Sequence, residues 1–361
     1  LRGRGFTVGL VPWYMRVAHF VPPDVAHSLA RYALSAPSPG PLIDEGLEVE
    51  LAGLRLPNPI GLAAGYDKDG YLYPAFSRWG MGFYVVGSIT AFRRRPLRRP
   101  RLYRPRDGLW MLNAFGLPSE GVISVARRLN GLGERPRVPI FASLAGFSLE
   151  EFSILIRAAD ALPQVSAIEL NISCPLFDDP AGMEELAELS SSLTRKPSFI
   201  KLSPRHSRVL EEAAGIAEEH GLGITVYNTI PVRSGALGAG RGGMSGLPLY
   251  GMMLSAVARI RSVSDRVPLM AVGGIFTGSQ ALAALEAGAD AVQSLTAVAF
   301  RGPLAFRAMS EELLAAMRER GYSSVSEARA SRVSAVLRAP RGPRSATPPR
   351  AAIPGPPRGP A

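Results

Sequence analysis

The chain has 361 residues, 47% of them hydrophobic and 20% charged, with a formal net charge of +11. That length suits one large barrel or sheet domain plus an appendage, and the hydrophobic fraction excludes a wholly disordered chain. No run approaches the roughly 18 consecutive apolar residues of a spanning helix, and the basic start at residues 1–5 leads into no apolar stretch with a cleavage site, so a cytoplasmic protein is expected.

Residues 11–36 precede the first strand. Pro22-Pro23-Asp24 is a helix-start signal, after which Val25, Leu29 and Tyr32 fall on one helical face, and Pro37 ends the element. Residues 1–45 are therefore expected to form an N-terminal helical extension, which pads the barrel bottom or offers a surface to a partner or the inner face of a membrane. Strands are predicted at 59–63, 82–88, 139–142, 167–172, 199–202, 224–227, 269–272 and 291–295, as near-continuous apolar runs typical of strands covered on both faces. Helical patterns fall at 150–159, 182–193, 208–220, 250–263 and 278–287. Eight strands alternating with helices predict an α/β fold, a (β/α)8 TIM barrel over residues 46–320. The remainder, 321–361, is expected to be a basic, Pro/Arg-rich disordered tail; residues 339–361 alone hold eight prolines.

The charge is local. Residues 93–106 contain eight arginines and no acid, and residues 339–361 contain four more, so outside these segments 29 basic residues face 30 acidic ones. One loop and one tail thus carry the excess, and a solvated surface explains it as well as anionic lipid or RNA. Rare residue types are more informative. Only three of 41 basic residues are lysine (Lys68, Lys196, Lys201), and only five asparagines occur. The one cysteine, Cys174, excludes an intrachain disulfide or a multi-cysteine metal centre.

Barrel enzymes place their chemistry at the carboxyl ends of the strands. There the sequence has Gly65-Tyr66-Asp67-Lys68-Asp69-Gly70 after the first strand and Gly87-Ser88 after the second. Asn171 to Pro175 follow the fourth, Lys201 lies in the fifth, and Asn228-Thr229 follow the sixth. Lys68, Lys201, Asn171 and Asn228 therefore share one mouth. Gly273-Gly274 after the seventh strand and Thr296 after the eighth suit a phosphate site, with Gly242 to Gly246 as a second glycine cluster in the preceding loop, and predict a phosphorylated cofactor. An isolated cysteine is more often a small buried hydrophobe than a catalyst. At Cys174, beside Asn171 and Pro175, a thiol can serve as general base, and no histidine stands in these motifs to form a Cys-His pair.

Taken in order, Gly61-Leu-Ala-Ala-Gly-Tyr-Asp-Lys-Asp-Gly70, Glu169-Leu-Asn-Ile-Ser-Cys-Pro175, Gly242-Gly-Met-Ser-Gly246 and Val272-Gly-Gly-Ile275 resemble the motifs of the dihydroorotate dehydrogenases, flavoprotein oxidoreductases of pyrimidine synthesis. The resemblance implies FMN at the barrel mouth. It places Ala64, Gly65, Lys68, Ser88, Ser143, Asn171, Lys201 and Tyr227 along the flavin, and Gly246, Gly274, Leu295 and Thr296 at its phosphate and ribityl chain. It assigns the substrate to Lys68, Asn113, Ala114, Phe115, Gly116, Leu117, Asn171, Asn228 and Thr229. Cys174 matches the base that takes the C5 proton of dihydroorotate while hydride leaves C6.

Two features cross the family's subclasses. The stretch Phe20 to Ala30 is similar to the extension of membrane-associated, quinone-using members, whereas a cysteine base is typical of soluble ones; Ser143 stands where quinone users generally have asparagine. Quinone is the expected acceptor, on the weight of the extension. Leu176 replaces an asparagine that follows the Cys-Pro pair in the family, which leaves open a different dihydropyrimidine substrate. A second alternative is a dihydrouridine synthase acting on tRNA. No separate RNA-binding helical domain follows the barrel, so nucleic acid is not the expected partner.

Overall fold

A computed structural model of the chain describes residues 44–105, 108–133, 136–172 and 177–338, with 10–12, 15, 21, 40 and 42 before them. The expected extension over 1–45, Cys174, Leu176 and residues 339–361 fall wholly or largely outside the described residues.

Eight parallel strands close into a barrel: β3 (Ile60–Leu62), β4 (Tyr84–Ile89), β7 (Ile140–Leu144), β8 (Val165–Asn171), β9 (Ser198–Lys201), β10 (Gly223–Val226), β13 (Leu269–Val272) and β14 (Ala291–Ser294). Each overlaps a predicted strand. Neighbours around the barrel are neighbours in sequence, with β14 pairing β3 through Val292↔Ile60 to complete the circle. The five predicted helices also form, three of them with their starts fixed by side chains. Ser148 caps Leu149–Asp160, Asp179 caps Pro180–Leu193, and Thr277 with Gln280 makes a capping box on Gly278–Glu286.

The barrel interior is filled in layers. At the amino end the rings of Phe83, Phe141 and Phe199 stack in sequence, with centroids 4.9 and 6.0 Å apart. Gly61 and Gly223 make room for them: a Cβ on either would lie 2.5 Å or less from the Phe83 or Phe199 ring. Above this layer Glu169 on β8 reaches Gln293 on β14, four strands away across the barrel, at 3.0 Å.

A short antiparallel hairpin, β1 (Val49–Leu51) with β2 (Leu54–Leu56), precedes the barrel. The larger addition is a four-stranded antiparallel sheet over the carboxyl mouth, ordered β11 (Ile230–Arg233), β12 (Arg241–Gly246), β6 (Trp110–Asn113) and β5 (Leu102–Tyr103). It corrects two expectations. The glycine cluster 242–246 is a strand rather than a loop, and the arginine-rich stretch 93–106 supplies the edge strand β5 and a bridge between Arg94 and Ser119. A third correction concerns the tail. Residues 325–338 form the helix Val325–Arg338, because Val325 and Ala328 are buried against the body. Among the described residues no helix is long and apolar enough to cross a membrane.

Candidate active site

Between the barrel mouth and the lid sheet lies a cavity of about 960 Å³. Ala64, Gly65 and Lys68 reach it from the loop after β3, Ser88 from β4, Asn171 from β8 and Lys201 from β9. Tyr227, Asn228 and Thr229 follow β10, Gly274 follows β13, and Leu295 with Thr296 follow β14. Gly246 and the stretch 113–117 come from the lid. Ser143 is fully buried on β7, one contact behind the wall, with its Oγ 3.2 Å from that of Ser88. All the described candidates are thus gathered at one place. The ends flanking 173–176 are firmly held. Ile172 and Phe177 are buried, Phe177 packs edge-on against Phe152 at 5.3 Å, and Asp178 lies 3.2 Å from His206 Nε2 and 3.1 Å from Arg205.

The first loop is built around Asp67. Its carboxylate accepts from the N–H groups of Gly70, Tyr71 and Leu72 and from the Tyr84 hydroxyl, and its carbonyl accepts from Gly87 N–H. Burial pushes its carboxyl pKa up, while these hydrogen bonds pull it back. The adjoining Lys68 donates to Gly65 O at 2.6 Å and sits 4.1 Å from the Phe115 ring centroid. Burial lowers its pKa to about 8, against the opposing pull of Asp69 and Asp67. Burial likewise raises the Tyr227 phenol to about 12, keeping it protonated.

Deeper in the mouth Lys201 donates to Glu169 Oε1 at 3.0 Å and approaches Gln293 Oε1 at 3.5 Å, with all three side chains buried. Glu169 and Gln293 were not singled out in the sequence as supports of this lysine. The signal for Glu169 was its alternation with Asn171 along one strand face, and Gln293 stands alone in an apolar run. One step higher, Asn171 donates to Ser88 Oγ at 2.6 Å and accepts from Asn228 Nδ2 at 3.2 Å. Asn228 Oδ1 accepts from Thr229 N–H at 2.9 Å. Two amides, one ending β8 and one in the loop after β10, are therefore held edge to edge.

On the other side the wall is bare backbone. Gly246, Gly273 and Gly274 all have positive φ (103°, 129° and 74°). A Cβ on Gly274 would lie 2.8 Å from Tyr250 Cβ and 2.9 Å from Gly246 O. Only glycine allows this approach. Thr296 adds a hydroxyl, donated to Ser245 Oγ at 3.1 Å. Among the described residues the N–H groups of Gly274 and Thr296 have no acceptor within the protein. Both residues line the cavity, where such N–H groups suit a phosphate.

These features define a (β/α)8-barrel enzyme whose mouth sets a lysine–amide cluster opposite a glycine cradle. The family sequence model described as dihydroorotate dehydrogenase matches residues 46–317. The chain is 32% identical over 335 residues to the dihydroorotate dehydrogenase (quinone) of Cereibacter sphaeroides, covering 86% of this chain and 94% of the relative. It is 32% identical to the protein of that name from Thermus thermophilus, covering 85% and 97%. The solved structure of Eimeria tenella DHODH in complex with ferulenol superposes with a TM-score of 0.76 at 25% identity, covering 84% of this chain and 94% of that one. The chain belongs to the dihydroorotate dehydrogenase family. Membership implies an oxidoreductase with a flavin cofactor.

Proposed function

We propose that this protein oxidises (S)-dihydroorotate to orotate in pyrimidine biosynthesis, with FMN as its flavin, and passes the electrons to a quinone. The observation that carries the reading is the convergence, in one cavity, of Lys201, Asn171 and Asn228 with the cradle of Gly246, Gly274 and Thr296. The quinone rests on the names of the relatives.

The cradle suits the FMN phosphate, with Leu295 beside it. Ala64, Gly65, Lys68, Ser88, Ser143 and Tyr227 suit the ring and its attached chain. When bound, the flavin supplies the two-electron acceptor. The protein's own groups do the rest. Asn171, Asn228, Thr229 and Asn113 offer amide and hydroxyl partners that donate and accept in the plane of a pyrimidine ring. Phe115 and the backbone of Ala114, Gly116 and Leu117 enclose it. Lys68, when protonated, pairs with the substrate carboxylate. Lys201 supplies a fixed positive charge where negative charge builds on the reduced ring. Cys174 Sγ, as thiolate, takes the proton from substrate C5. The lid sheet covers the mouth and excludes water.

Anaerobic mixing of the FMN-loaded protein with dihydroorotate is expected to bleach the flavin absorption, and absence of bleaching at every pH rejects the substrate. Turnover with quinone, fumarate and NAD compared side by side identifies the acceptor, with quinone expected to be fastest.

A further inference from the structure

The eight barrel strands contain just two charged residues, Glu169 and Lys201, and the two are paired with each other. Lys201 is level with Asn171 and lines the cavity, whereas Glu169 is level with Phe199 and does not. The lysine is therefore the cavity-side partner, and the carboxylate lies behind it. Both carboxylate oxygens are committed. Oε1 accepts from Lys201 Nζ at 3.0 Å, and Oε2 accepts from Gln293 Nε2 at 3.0 Å. Gln293 Nε2 also donates to Met270 Sδ at 3.4 Å, which leaves its Oε1 turned toward Lys201 at 3.5 Å. Gripped from β14 across the barrel, the carboxylate cannot swing away from the lysine. Thr225, opposite Lys201 in the strand register, adds a buried hydroxyl but no charge.

A buried ion pair is no more stabilising than well-packed apolar side chains of the same volume, so stability alone does not account for this one. Its electrostatic effect does. A lysine standing alone here would act on the cavity as a full positive charge, in surroundings where charges are poorly screened. With Glu169 behind it the pair is neutral overall. It acts as a dipole with its positive end toward the cavity, and its field is weaker than that of the bare cation.

We propose that Glu169 sets the redox poise of the bound flavin through Lys201, as a positioning residue that moderates the cation's hold on the reduced ring. This deepens the FMN reading of the cavity and rests on it. An unmoderated cation stabilises the negative charge of the reduced ring, which favours the arrival of electrons and hinders their departure. The buried carboxylate trims that bias, so that one flavin serves both half-reactions.

The test is the two-electron midpoint potential of FMN bound to the full-length protein, read by reductive titration against a reference dye, beside flavin content and melting temperature. Glu169→Gln is expected to shift the equilibrium toward reduced flavin at least about tenfold, an upward shift of about 30 mV for a two-electron couple. Glu169→Asp keeps the carboxylate and is expected to stay closer to the wild type. Lys201→Met/Glu169→Gln removes both charges, and its midpoint is expected to fall below that of Glu169→Gln. Gln293→Glu adds a carboxylate instead of removing one; it is expected to shift the midpoint downward and carries the test if Glu169→Gln retains no FMN. A merely structural Glu169 would lose flavin content and melting temperature with the midpoint unmoved. Midpoints equal to the wild type in both Glu169→Gln and Gln293→Glu overturn the proposal. Dye titration uses neither dihydroorotate nor quinone, so bleaching by dihydroorotate, scored on the same samples, reports the substrate reading separately. A wild-type protein that takes up no FMN overturns both.

Discussion

Asn228 donates through Nδ2 to Oδ1 of Asn171 at 3.2 Å, joining the loop after β10 to the end of β8. The contact fixes which edge of each amide faces the cavity. Asn228→Ala removes one donor–acceptor group from the proposed substrate plane, a loss of about 1 kcal/mol or more. Flavin reduction by dihydroorotate is expected to slow by about tenfold, with little change in melting temperature because Asn228 is only partly buried. Stopped-flow absorbance measures it, and an unchanged rate takes Asn228 out of the substrate site.

Lys201 and Glu169 form an ion pair that is 5% and 0% exposed. Breaking such a pair leaves a buried charge uncompensated and costs about 3–5 kcal/mol. Lys201→Met is therefore expected to lower the denaturant midpoint sharply. Lys201→Met/Glu169→Gln should recover most of the stability, since the orphan charge is gone, while flavin reduction stays slow. Recovery of both together would make the lysine purely structural.

Lys68 has a folded pKa of about 8, below the ordinary 10.5. Between those values the unfolded chain holds a proton that the folded protein has shed, so this group makes stability rise with pH across that window. Its effect on binding runs the other way. The cation that pairs with a substrate carboxylate disappears as pH climbs through about 8. KM for dihydroorotate is expected to rise by roughly tenfold per pH unit beyond that point, and Lys68→Met should abolish the dependence. A KM that stays flat in the wild type contradicts this role.

Gly274 has φ +74° and no space for a Cβ, with Tyr250 and Gly246 within 3 Å of where it would stand. Gly274→Ala is expected to distort the cradle, so that the purified protein carries little FMN and gains little melting temperature when FMN is added. Full flavin content in this variant would locate the phosphate elsewhere.

The barrel was legible because each of its strands is buried on both faces, and a run such as Ile140–Leu144 therefore reads as continuous hydrophobicity. The mouth was legible through scarce residue types: Lys68, Lys201, Asn171 and Asn228 all fall at strand ends. The lid sheet was not. Leu102–Tyr103 is too short to show alternation, and 241–246 is half glycine. Its pairing is also remote, with Gly243 opposite Asn113. Likewise nothing near Lys201 in sequence announces Gln293. That contact exists only because the barrel closes.

Phe83, Phe141 and Phe199 stopper the barrel at its base, with Gly61 and Gly223 pressed against the rings. Among the described residues a barrel plugged at its base offers no passage along its axis, so whatever occupies the mouth has to arrive and depart on the carboxyl side of the strands.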